Sequence, residues 1–94
     1  MLTSTAATQT PQAARYLTQL CKHFQHRLPV TLEERHGRIV FEAGTCDLEA
    51  DNDTLTMRVS AQDEPSLRRL EDVVARHLVR FAFRESPEIT WRPA

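Results

Sequence analysis

The chain has 94 residues, a formal net charge of −1 at pH 7 and a hydrophobic content of 40%. These values fit one small domain with one modest core, and they argue against nucleic acid or a membrane as a partner. The two cysteines do not form a disulfide framework and no secretory leader is readable, so a reducing cytoplasm is the expected location.

The first ten residues are rich in Thr, Ser and Ala and show no hydrophobic period. We therefore predict a flexible tail over residues 1–10, followed by a single domain over residues 11–94.

Residues 13–28 repeat apolar side chains at the spacing of a helix that lies on a core. Thr10 is the expected N-cap of this helix. Cys21 then points toward the core, whereas His23 and His26, three residues apart, lie together on the solvent side. The first helix is thus predicted to have one apolar face and one cationic face that carries imidazoles.

The following residues alternate between apolar and polar side chains, which is typical of antiparallel strands with one face in water. Four strands are predicted, over residues 30–35, 38–42, 45–50 and 54–60. His36 and Gly37 are predicted to form a tight turn, with a positive φ at Gly37.

A second helix, capped by Asp63, carries an apolar stripe as far as Phe81 and is followed by a short strand over residues 88–92. The predicted order is helix, four strands, helix, strand. This order predicts an α+β fold, a two-layer sandwich with two helices packed on one face of a mainly antiparallel sheet of four to five strands.

Several short strings, in the same order along the chain, resemble the small bacterial family named domain of unknown function 2218. They are Arg15-Tyr16-Leu17, the run from Leu20 to His26, Gly44-Thr45-Cys46, Leu48-Glu49-Ala50, the run from Leu70 to Val74 with His77-Leu78, and the run from Arg80 to Glu85. The resemblance implies a stand-alone bacterial α+β domain without an assigned activity. Relatives found beside siderophore-interacting reductases imply an accessory role in iron–siderophore handling, with such a reductase as a partner.

A ligand site is predicted where the basic edges of the two helices meet. Guanidinium and imidazolium groups suit a carboxylate or phosphate, so a small anionic ligand such as a catecholate or carboxylate siderophore is one candidate. A solvated basic face paired with the acidic strands is the alternative. The candidate ligand-binding residues are Arg15, Lys22, His23, His26, Arg76 and Arg80.

An alternative metal site uses Cys21, Cys46 and His77, which all fall on inward faces and as a set suit zinc or ferrous iron. These three are otherwise ordinary core residues. No arrangement typical of catalysis is evident, so we expect a non-enzymatic binding module without a cofactor. A purely structural or partner-interaction role stays open, and exposed Val79 and Phe83 would favour a homodimer.

Overall fold

The computed structural model describes residues 1–94 as two helices and a six-stranded antiparallel sheet. The α+β class is confirmed, with six strands instead of four to five. The sheet order is β2-β3-β4-β5-β1-β6. The elements are β1 (Leu2–Gln9), α1 (Ala13–Phe24), β2 (Val30–Leu32), β3 (His36–Val40), β4 (Gly44–Ala50), β5 (Thr54–Ala61), α2 (Glu64–Phe81) and β6 (Arg92–Pro93).

The core lies between the two helices and one face of the sheet. Its largest fully buried side chains come from both helices and from β3, β4 and β5, and burying each of the Leu, Ile, Val and Met side chains among them contributes about 1.5–3 kcal/mol. They are Leu17, Leu20, Cys21, Ile39, Cys46, Leu48, Leu55, Met57, Val59, Val74 and Leu78.

The first strand corrects the prediction of a flexible tail over residues 1–10. Leu2–Gln9 pairs with β5 along its whole length. Its core-facing side chains are Ser4, Ala6 and Thr8, which are small or polar and only 2–5% exposed. Because none of these residues is strongly apolar, the strand shows no hydrophobic alternation, and its main-chain pairing could not be read from a hydrophobic period.

The predicted turn at His36-Gly37 is also wrong. Both residues belong to β3, the chain reverses at residues 33–35, and neither glycine of the chain has a positive φ. A Cβ at Gly37 would stand only 2.4 Å from the Sγ atom of Cys21. The glycine is therefore explained by the close approach of α1 to the sheet and not by turn geometry.

The helix ends follow the sequence in part. Thr10 is not the N-cap of α1, because the capping position is Gln12, which makes no side-chain capping hydrogen bond. The Oγ1 atom of Thr10 instead accepts the main-chain N–H of Gln12 at 3.1 Å in the turn before the helix. At its other end, α1 stops at Phe24 and not at Leu28. Asp63 caps α2 as predicted, accepting a 2.9 Å hydrogen bond from a main-chain N–H of the first turn, and α2 ends at Phe81. Neither helix is long and apolar enough to cross a membrane.

Candidate functional site at the histidine cluster

The side chains of α1 divide as the helical period predicts. Cys21 is 0% exposed and belongs to the core, whereas His23 and His26 are exposed. The two imidazoles are therefore accessible from solvent at the last turn of α1 and just beyond it.

The ring of His23 lies among three other rings between α1 and α2. Its centroid is 4.8 Å from that of His77, 5.0 Å from that of Phe24 and 5.8 Å from that of Phe81. The ring centroids of Phe24 and His77 are 4.9 Å apart. We call His23, Phe24, His77 and Phe81 the histidine cluster. The cluster joins two imidazoles and two apolar rings from two different helices.

The orientation of His77 follows from its main-chain contact. Its Nδ1 atom lies 2.7 Å from the carbonyl oxygen of Val73, one helical turn earlier. Since a carbonyl oxygen only accepts hydrogen bonds, Nδ1 carries the proton, and Nε2 is the acceptor of the neutral ring. His77, predicted as either a core residue or a metal ligand, is half-buried and is part of the histidine cluster.

The cluster lies in a cationic environment. The pKa of His23 is lowered, first by partial burial and then by the nearby His77, Arg80 and His26, and no carboxylate offsets these effects. Both causes disfavour a positive charge on His23. An anion bound here would counteract the effect of the neighbouring basic side chains, because its negative charge would favour the protonated ring of His23.

An open cleft of about 460 Å³ adjoins the cluster, a volume within the usual range of small-molecule sites. It combines imidazole and guanidinium groups with apolar surface. The residues that line it are His23, Phe24, His26, Arg27 and Leu28.

A larger cleft of about 790 Å³ lies beside the turn between β2 and β3 and has the opposite charge character. Its lining includes Glu33, Glu34, Glu49 and Asp51. Four carboxylates repel an anion, so this cleft is not the predicted site despite its size.

The structure brings together only part of the predicted ligand set, namely His23, His26 and Arg80. Arg15 lies more than two turns earlier on α1, about 12 Å from His23 along the helix axis. The Nε atom of Arg76 lies 2.9 Å from the Oδ2 atom of Asp72 in an ion pair within α2. Lys22, the last predicted member, is exposed on the last turn of α1.

The residues predicted as an alternative metal site do not assemble into one. No group of three His, Cys, Asp or Glu side chains is placed to hold a metal ion. Cys21 and Cys46 are free, fully buried thiols, whereas His77 packs with the rings of the cluster. Burial raises the pKa of Cys21 to about 11 and raises that of Cys46 further, so both thiols are protonated at neutral pH.

A family model described as an uncharacterised protein conserved in bacteria (DUF2218) matches residues 5–92. The chain belongs to this family. It is also similar to PA4090 from Pseudomonas aeruginosa, whose NMR structure matches with a TM-score of 0.86 and 44% identity over 100% of this chain and 98% of that one. None of the curated proteins compared with the chain matches it. These findings confirm the DUF2218 resemblance and the α+β fold.

Proposed function

We propose that this DUF2218 domain is a non-enzymatic binding module that holds a small anionic ligand at the histidine cluster. The observation that carries the proposal is geometric: the ring centroids of His23 and His77 are 4.8 Å apart, beside a cleft that His26 and Arg27 also line. An anionic group would interact favourably with these side chains. An apolar or aromatic part of the same ligand would pack on Phe24, which lines the adjoining cleft.

Two features favour binding over catalysis. The thiols of Cys21 and Cys46 are buried and have raised pKa values, so neither is an activated nucleophile. In addition, the histidine cluster consists of imidazole and phenyl rings, so the Nε2 atom of His77 has no hydroxyl or thiol within the cluster to activate. The cluster therefore offers donors for an anion without a group to attack it.

In its finer form, the proposal identifies the ligand as a catecholate or carboxylate siderophore and the partner as a siderophore-interacting reductase. Its support is the role that the family resemblance implies, together with the presence of the cationic Arg27 and the aromatic ring of Phe24 in the lining of the adjoining cleft. A catecholate is both anionic and aromatic, so it suits both kinds of side chain.

Ligand binding at this site is expected to depend on pH. A bound anion raises the pKa of His23, so binding takes up a proton at pH values near and below the ordinary imidazole pKa of about 6.5. Affinity should therefore increase from pH 8 to pH 6.

The direct test is a calorimetric titration with 2,3-dihydroxybenzoate and citrate as probes. The combined variant His23→Ala with His26→Ala should keep the fold, because both side chains are exposed, and should weaken binding of one probe by roughly tenfold or more. His36→Ala is the matched control, since His36 lies on β3 with its Nδ1 atom 3.4 Å from the Oε1 atom of Glu33. Unchanged affinity in the double variant would refute the site.

A second candidate function, contact with a protein partner or a second copy, is favoured by apolar exposure on α2 and just after it. Val79 is 43% exposed and Phe83 is 67% exposed. The guanidinium carbon of Arg84 lies 5.6 Å from the ring centroid of Phe83, but the ring stays open to solvent. If this patch mediates a homodimer, Phe83→Ser should shift the protein to a monomer in analytical ultracentrifugation.

A further inference from the structure

The outer face of the sheet carries a row of arginines that the histidine cluster does not use. The strand register places Arg38 opposite Asp47, Asp47 opposite Arg58, Arg58 opposite Thr5 and Thr5 opposite Arg92. Directly opposite residues of antiparallel strands point to the same face of a sheet. Three guanidinium groups and one carboxylate therefore share one cross-strand row.

Two of these arginines have no carboxylate partner. The Oδ1 atom of Asp47 lies 3.3 Å from the Nε atom of Arg38, so this carboxylate is already paired. No ion pair of the structure includes Arg58 or Arg92, and both are exposed. Their donors are therefore free to bind a ligand.

Thr5 lies between the two free arginines. Since neighbouring strands are about 4.8 Å apart, Arg58 on β5 and Arg92 on β6 lie about 10 Å apart across β1. Two long guanidinium side chains can reach one small anion across that span, and the half-buried Thr5 lies between them on the same face of the sheet.

The edge of β1 adds a main-chain donor. Ala94 donates its main-chain N–H to the carbonyl oxygen of Thr3 at 2.9 Å, so the odd-numbered residues of β1 direct their N–H groups toward β6. β6 pairs only with Ser4 and Thr5. The N–H of Ala7 therefore lies at an open edge without a strand partner.

A groove of about 580 Å³ follows this edge, between β1 and the segment that leads into β6. Its lining includes Thr5, Ala7, Thr90 and Arg92, together with the carboxylate of Glu88. Arg92 and the hydroxyls of Thr5 and Thr90 offer donors to this groove, and Arg58 lies opposite Thr5 on the next strand. The carboxylate of Glu88 makes the groove unfavourable for an extended polyanion.

We propose that Arg58, Thr5 and Arg92 form a second anion site, which takes a single phosphate or carboxylate group of a small ligand at the edge of β1. Guanidinium groups bind both kinds of oxyanion through paired hydrogen bonds. The site lies on the outer face of the sheet, opposite the helices, so it is independent of the proposed function at the histidine cluster.

The test is a titration of the ¹⁵N-labelled protein with inorganic phosphate and, separately, with acetate, followed by amide chemical shifts. Saturable shifts should centre on Thr5, Ala7 and Arg92. Arg58→Gln or Arg92→Gln should weaken binding roughly tenfold, because each removes a charged hydrogen-bond donor. Glu88→Gln should strengthen binding, because it removes a repulsive charge from the groove.

Arg69→Gln is the matched control, because it removes an exposed arginine of α2, which packs on the other face of the sheet. It should leave the affinity unchanged, as should His23→Ala. Saturation by phosphate alone or by acetate alone would support the site and identify the group that it prefers. Shifts that do not saturate, or an affinity that survives both Arg58→Gln and Arg92→Gln, would overturn the proposal.

Discussion

The contact between Gly37 and Cys21 sets how closely α1 approaches the sheet. A Cβ atom at Gly37 would lie 2.4 Å from the Sγ atom of Cys21, whereas its next neighbours, Leu17 Cδ2 and the carbonyl oxygen of Thr31, would be at 3.5 and 3.6 Å. The latter two distances are ordinary van der Waals contacts. A single sulfur atom is therefore the main obstacle to a side chain at this position.

Gly37→Ala should lower the free energy of unfolding by about 1–3 kcal/mol, because it overpacks a fully buried contact. Urea denaturation measures the loss. Cys21→Ala removes the sulfur atom that the new Cβ would meet. The double variant, Gly37→Ala with Cys21→Ala, should therefore lose less stability than the sum of the losses in the two single variants.

Gly44→Ala is the control for this rescue. Its Cβ would lie 2.0 Å from the main-chain oxygen of Ser60, an atom that no side-chain substitution removes. Cys21→Ala should therefore not rescue it. Wild-type stability in the Gly37→Ala variant would show that α1 and β3 are farther apart than described.

At the scale of elements, β1 is joined to α2 by a buried polar network. The Oγ atom of Ser4 donates a 2.5 Å hydrogen bond to the Oε2 atom of Glu71, and the Nη1 atom of Arg68 lies 3.0 Å from Oε1 of the same carboxylate. Glu71 is only 6% exposed. The carboxylate is tolerated there because a hydroxyl and a guanidinium group both compensate its burial.

Glu71→Ala should destabilise the fold by about 1–3 kcal/mol, because it leaves the buried hydroxyl of Ser4 without its acceptor. Ser4→Ala should lower the free energy of unfolding by less, since Arg68 still pairs with the carboxylate of Glu71. Urea denaturation compares the two variants.

Hydrogen exchange tests the strand itself. The amides of Ser4, Ala6 and Thr8 face β5 and should exchange slowly in the wild type. Exchange of these amides at the rate of an unfolded chain would contradict the assignment of β1 and would favour a flexible tail after all.

The prediction of elements succeeded where burial produces a regular apolar period. Both helices and the strands β3 to β5 have such a period, because one face of each packs on the core. β1 buries Ser4 and Thr8 instead, and its stability depends on pairing with β5 and on contacts with α2. These partners are distant in sequence, so the local pattern of residues 1–10 contained no sign of them.

At the scale of the whole molecule, stability should fall as the protein is acidified below neutral pH. The pKa of His23 in the folded state lies below its ordinary value of 6.5. Between these two values the unfolded chain binds the proton more readily, so the folded state loses stability as pH falls through this window. Above about pH 6.5 both states are neutral at this residue, and the effect is absent.

His23→Gln should reduce this loss, because it removes the titrating group. Thermal unfolding measured between pH 7.5 and pH 5 should show a smaller decrease in melting temperature than in the wild type. The control Gln62→Ala, at an exposed position without a titrating group, should retain the wild-type profile. An identical profile for His23→Gln would show that the ring is not in the cationic, partly buried environment described.

The amino-acid sequence by itself determined the family, the α+β class and the division of α1 into a core face with Cys21 and a solvent face with His23 and His26. These features depend on local period, which any stretch of the chain carries within itself. Only the tertiary structure decided that His77 and Arg80 meet His23, and that Cys46 and His77 do not form a metal site with Cys21. The same holds for the arginine row, because strand register and helix packing join residues that are far apart in the chain.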